Sequence, residues 1–189
     1  VVGVDPSGSD DIDNADNDAI GIVVAGLGTD GNAYVLEDGT VKAGPATWGK
    51  LAVSAYTRHE ADIIVAEVNF GGAMVQQTIE VARKAEGLRV VPFKPVTASR
   101  GKTVRAEPFS ALYEEGKVRH VGTFPELEDE LCAMSTVGYT GTGSPNRADA
   151  LIWALSELFP GLMRKRTPEE STKTDRYSRR RETESAWTA

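Results

Sequence analysis

Ile63-Ile64-Val65-Ala66 is apolar at every position and stops at Glu67. A strand with one wet face alternates in polarity, so an unbroken short apolar run reads as a strand covered on both faces. Such a strand needs helices on either side, and the neighbouring sequence supplies them. Pro45 opens a helical stretch in which Trp48, Leu51, Ala52, Ala55 and Tyr56 recur at helical spacing. After Gly71-Gly72, residues Met74, Val75, Ile79 and Ala82 do the same. The chain is therefore expected to be an α/β protein assembled around a buried strand.

The remaining segments extend this plan. Val1-Val2-Gly3-Val4 is a second buried strand that ends at Asp5-Pro6, and an acidic, Gly/Ser/Asn-rich loop runs from there to Asp18. Residues 19–26 read as a strand, and Asp30-Gly31 turns it into another over 33–37. A fifth strand is expected over 88–93, bounded by Pro92 and Pro95, and helices over 105–115 and 125–134. Gly138 to Pro145 reads as a flexible loop. The helix that follows, 146–159, carries its apolar stripe at Ala148, Leu151, Ile152, Leu155 and Phe159. The expected architecture is a mixed β-sheet, a three-strand meander plus parallel strands, flanked by helices. It spans residues 1–160, leaving 161–189 as a basic, polar and mobile tail. The chain opens on a strand without an initiator Met, which reads as a piece of a longer protein or one numbered from a domain edge.

Several chemistries fail on spacing. Gly101-Lys102-Thr103 has Val96 where a phosphate-binding P-loop needs its first Gly. An EF-hand frame starting at Asn14 puts Ala19 and Ala25 at the Gly and bidentate Glu positions. No Gly-x-Ser-x-Gly elbow exists, and the single Cys132 reads as a small helix hydrophobe. With only His59 and His120 beside that one Cys, a zinc cluster has no ligands.

Carboxylates remain. Asp5 and Glu67 each end a strand, the position where functional groups gather in open α/β sheets. Asn146, Asp149 and Trp153 lie along one side of the last helix at i, i+3 and i+7, bordering its apolar stripe. Three carboxylates meeting at a sheet edge repel one another unless a cation neutralises them, and oxygen-only ligands favour Mg²⁺ or Mn²⁺. Each also has a plainer reading: Asp5 as a turn residue before Pro6, Glu67 as surface, Asp149 as a first-turn acid favoured by the helix dipole.

These residues fall within recognisable motifs. Val1 to Pro6, Ile63-Ile64-Val65-Ala66-Glu67-Val68-Asn69-Phe70-Gly71-Gly72, Ser99-Arg100-Gly101-Lys102 with Arg105-Ala106-Glu107-Pro108, and Ser144-Pro145-Asn146-Arg147-Ala148-Asp149 with the helix that follows resemble the nuclease domain of phage and prophage terminase large subunits. The resemblance runs in order over about residues 1–160. It implies an RNase H-like fold and a Mg²⁺- or Mn²⁺-dependent endonuclease that cuts concatemeric viral DNA by a two-metal mechanism. In that frame Asp5, Glu67 and Asp149 match the family's three acidic metal ligands. Asn146 stands where relatives often carry another Asp. The implied partners are double-stranded DNA, an N-terminal packaging ATPase with no counterpart in this sequence, the small terminase and the portal. The implied place is the host cytoplasm at the packaging motor. Other nucleases of the same fold, of Holliday-junction resolvase or transposase type, and a non-catalytic docking module of that fold are the competing readings.

Charge bears on the substrate. The formal net charge of −7 argues against nucleic acid, but the charges are segregated. Residues 164–189 hold eight Lys/Arg against five acids, whereas six Asp crowd the first 18 positions. Lys94, Arg100, Lys102 and Arg105 follow one another without an intervening acid, and they are the candidate DNA contacts.

Overall fold

A computed structural model describes residues 1–6, 19–69, 72–98, 102–135 and 137–163. In chain order the elements are β1 (Val2–Asp5), β2 (Gly21–Leu27), β3 (Ala33–Asp38), α1 (Pro45–Arg58), β4 (Ile64–Glu67), α2 (Gly72–Ala85), β5 (Phe93–Val96), α3 (Lys102–Glu114), β6 (Val118–His120), α4 (Pro125–Cys132), β7 (Met134–Ser135), β8 (Gly138–Tyr139), α5 (Asn146–Leu158) and α6 (Pro160–Met163). Residues 1–159 form one compact unit, and α6 belongs to a second, 160–189. No described helix is long and apolar enough to cross a membrane.

Six strands make one mixed sheet in the order β5-β4-β1-β2-β3-β6. β1, β2 and β3 form the antiparallel meander, while β4 lies parallel to β1, β5 to β4 and β6 to β3. The alternation of β1 and β4 sorts their side chains cleanly. Val2, Val4, Ile64 and Ala66 join Trp48, Ala52, Val75 and Ile79 in the core that α1 and α2 cover. The opposite face is covered by α5, which buries every residue from Ala148 to Leu155.

That second face depends on two glycines. A Cβ on Gly3 would lie 2.1 Å from the Ala150 carbonyl oxygen, and one on Gly21 would lie 1.9 Å from that of Asn146. With no side chain at either position, the backbone of α5 rests directly on β1 and β2.

β5 begins at Phe93, where the expected strand was to end. It is an edge strand, and its register is set by β4 rather than by its own apolar content. The Ile64 N–H donates to the Pro92 carbonyl and the Val68 N–H to that of Val96, so positions 92, 94 and 96 face β4. Pro95, which has no N–H to give, falls on the outward side where none is needed. The stretch expected as a loop from Gly138 contains β8, which closes a two-stranded hairpin with β7.

The end of α1 is tied to β3 by Glu37, which accepts hydrogen bonds from Arg58 Nη2 and Nε at 2.6 and 3.0 Å and lies 2.6 Å from His59 Nε2. Burial raises the Glu37 pKa, but the Arg58 and His59 interactions together outweigh it and hold the carboxyl below its ordinary 4.5. A carboxyl depressed on folding stabilises above its unfolded value and loses that contribution as the pH falls through the folded one. Glu37→Gln is therefore expected to cost no more than about 1 kcal/mol at neutral pH, because Arg58 is largely exposed. The difference from wild type should vanish as the pH drops below 4.5, as urea unfolding at the two pH values would show.

Candidate active site

Register brings the strand-end acids together. Val4 pairs with Ala66 in the parallel β1–β4 ladder, so Asp5 and Glu67 are the next residues on adjacent strands, whose spacing is ~4.8 Å. Asp5 also pairs with Gly21, whose missing Cβ points at α5. Residues directly opposite in a sheet share a face. Asp5 and Glu67 thus lie on the side of the sheet that α5 covers, and Asp149 is in the first turn of that helix. Asp149 is fully buried and Asp5 nearly so.

Glu67 is held by both oxygens. Asn69 Nδ2 donates to Oε1 at 2.7 Å, and the Trp153 indole N–H donates to Oε2 at 3.0 Å. Asn69 is itself fixed by the Ala98 N–H, which donates to its Oδ1 at 3.0 Å and links the loop after β4 to the loop after β5. Trp153 lies two turns along the line that begins at Asn146, so one helix face supplies both Asp149 and the donor that aims Glu67.

Arg105, from α3, is expected among DNA-facing bases, yet only 3% of it is exposed. Its Nη2 donates to Asp149 Oδ1 at 3.0 Å, its Nη1 lies 3.6 Å from Glu67 Oε2, and its guanidinium carbon stands 4.5 Å from the Trp153 ring centroid. The stacking follows from the attraction of a cation for an aromatic face. The positive charge between these two carboxylates is therefore a side chain of the protein itself.

Asn146 is buried, and its Nδ2 donates to the Ala19 carbonyl at 2.6 Å. It ties the start of α5 to the start of β2, a hydrogen bond that an ionised Asp could not donate. Lys94 is on β5 with its Nζ 2.6 Å from Glu157. Arg100 and the Lys102 side chain lie outside the described residues, as does the tail beyond Met163.

A further ion-pair network fixes the entry of α5. Glu130 Oε2 accepts the Ala148 N–H at 3.0 Å and Oε1 accepts from Arg147 Nη1 at 3.2 Å, while Arg147 Nε donates to Asp38 at 3.0 Å. Burial, the largest influence, raises the Glu130 pKa despite the hydrogen bonds from Ala148 and Arg147. Capping by a carboxylate suits a helix N-terminus, where unpaired N–H groups point outward.

In kind, the donor set fits a hard divalent cation: it is all oxygen, it shares one sheet face, and two of its members already face a common cation. In spacing it falls short. Among the described residues, no three His, Cys, Asp or Glu side chains are close enough to share one ion.

Comparison with known proteins bears on this arrangement. The family model of the terminase RNase H-like domain matches residues 2–158. Among solved structures, the large terminase nuclease from thermophilic phage G20c is similar, with 16% identity, a TM-score of 0.55, and coverage of 82% of this chain and 80% of that one. The fold of the chain is accordingly RNase H-like. T. thermophilus RuvC in complex with a Holliday junction substrate matches at 15% identity and TM-score 0.47 over 86% of this chain and 95% of that one. No curated protein matches.

Proposed function

The chain belongs to the terminase RNase H-like domain family, and on that premise we propose that it is a Mg²⁺- or Mn²⁺-dependent endodeoxyribonuclease, the nuclease part of a terminase large subunit that cuts double-stranded DNA during packaging. The observation that carries this reading is the placement of Asp5, Glu67 and Asp149, from β1, β4 and α5, on the same face of the sheet.

In this reading Asp5, Glu67 and Asp149 hold the metal. Divalent ions held by these residues would supply an activated water and charge compensation at the leaving 3′ oxygen. The protein's own part is alignment. The Trp153 and Asn69 hydrogen bonds leave the Glu67 carboxylate a single orientation, and burial keeps Asp149 in the same dry corner. Products should carry 5′-phosphate and 3′-hydroxyl ends. Lys94, Arg100 and Lys102 are the proposed backbone contacts for DNA. The packaging ATPase, small terminase and portal are the proposed partners.

Trp153→Phe retains a ring for Arg105 to stack on but removes the N–H that aims Glu67. Losing a group that orients a metal ligand is expected to lower metal affinity or activity ~10–100-fold, measurable as the Mn²⁺ concentration needed for half-maximal cleavage.

The function is tested by incubating supercoiled plasmid, linear duplex and a four-way junction with the protein in Mn²⁺ or in EDTA. Nicking and linearisation of duplex in Mn²⁺ alone, leaving 5′-phosphate ends, supports the proposal. Cleavage confined to the four-way junction would replace it with a resolvase.

A further inference from the structure

We propose that Arg105 is the resident counter-ion of the carboxylate site, and that a divalent ion binds there by displacing it. The inference rests on the metal-dependent reading above and deepens it.

A guanidinium has five N–H donors in a rigid fork, and a buried one is costly unless they are used. Among the described residues, Arg105 makes one side-chain hydrogen bond, to Asp149 at 3.0 Å. The Glu67 oxygen, at 3.6 Å, is beyond hydrogen-bonding distance, and Arg105 Nε and Nη1 find no acceptor among the described residues. No hydrogen-bonding geometry explains why the side chain is there. Charge does, since Asp149 is fully buried and Glu67 only 16% exposed, and two such carboxylates side by side favour a cation between them. The Trp153 face, 4.5 Å from the guanidinium carbon, steadies the group without satisfying its donors.

Arg105 is therefore a serviceable neutraliser and a poor ligand. A divalent ion carries twice the charge, has no donors to satisfy, and takes the carboxylate oxygens that Arg105 now faces. Both cannot occupy the same place. Among the described residues no three acidic side chains stand at ion-holding distance, and a guanidinium lying between two of them is consistent with that spacing. Ion binding then requires Arg105 to leave, and the apparent affinity for metal is lowered by the cost of expelling it.

The test is Mn²⁺ binding to the full 189-residue protein, followed by loss of the free-ion EPR signal in low salt. R105Q removes the competitor and should bind Mn²⁺ about tenfold more tightly than wild type, the equivalent of 1.4 kcal/mol. R105K, which keeps the charge but not the fork, should fall between the two. A residue that merely supports the fold would weaken binding when removed, so equal or weaker binding by R105Q overturns the displacement. If wild type binds Mn²⁺ and R105Q matches it, the metal-dependent reading stands and only the displacement falls. If wild type binds none, both fall. Should R105Q fail to fold, ¹⁵N-arginine NMR of wild type decides. The Nε–H resonance of Arg105, whose guanidinium carbon stands 4.5 Å from the Trp153 ring centroid, should shift on Mg²⁺ addition, and a resonance unmoved at saturation overturns the proposal.

Discussion

Asp149→Leu is expected to lower the unfolding free energy by ~3–5 kcal/mol, the usual cost of stranding one partner of a buried ion pair. Asp149 accepts a side-chain hydrogen bond from Arg105, and both are almost wholly shielded from water. Leu has the branching and the number of side-chain heavy atoms of Asp, though it is bulkier, and its good helix propensity means that the helix itself should survive the change. Adding Arg105→Met in the same molecule removes the stranded charge, and most of the stability should return. Nuclease activity should not, because the carboxylate is still missing. Urea unfolding of the two single variants and the double variant separates the effects. A loss in the double variant equal to the sum of the single losses would mean that the pair is not coupled.

Gly21→Ala should be almost as damaging, for a geometric reason. The new methyl carbon would stand 1.9 Å from the Asn146 carbonyl oxygen, 2.6 Å from its carbon and 3.0 Å from the Ala150 Cβ. Those are mostly backbone atoms of α5, so no side chain can swing aside, and the helix must lift from the sheet. Overpacking of this kind costs about 1–3 kcal/mol. The larger effect is on function, since lifting α5 carries Asp149 away from Asp5 and Glu67. A misplacement of ~1 Å in a catalytic array can reduce rate about 100-fold. Gly26→Ala is the control: its Cβ meets only Leu36 Cδ1, at an ordinary 3.5 Å, on the same strand. Its melting temperature and nicking rate should stay close to wild type.

Much of this arrangement can be read from the chain because it depends on short-range pattern. The apolar runs at Val2–Val4 and Ile64–Ala66 define β1 and β4, and once these are adjacent and parallel, Asp5 and Glu67 must end side by side. The stripe of α5 orients Asp149 and Trp153 in the same way. β5 is less legible, because the apolar run before it lies outside the ladder, and an edge strand holding Lys94 and Pro95 has no hydrophobic period of its own. Arg105 is the larger miss. Four positions from 94 to 105 are equally basic in the sequence, and it is the packing of α3 beside α5 that turns Arg105 inward. The link from Arg147 to Asp38 spans 109 positions, a separation at which local pattern carries no information. Asn146 reads as a lost carboxylate until its amide is seen bonded to the Ala19 carbonyl.

Asp5, Glu67 and Asp149 are together proposed to hold the metal for phosphodiester hydrolysis. This proposal is tested most directly by plasmid nicking in Mn²⁺ with Asp5→Asn, a change that keeps shape and removes one charge from a residue outside the Arg105 pairing. The account predicts that Asp5→Asn remains folded, loses nicking, and is not restored by raising Mn²⁺, while wild type is active in Mn²⁺ and silent in EDTA. Undiminished nicking by Asp5→Asn, or by wild type in EDTA, would contradict it.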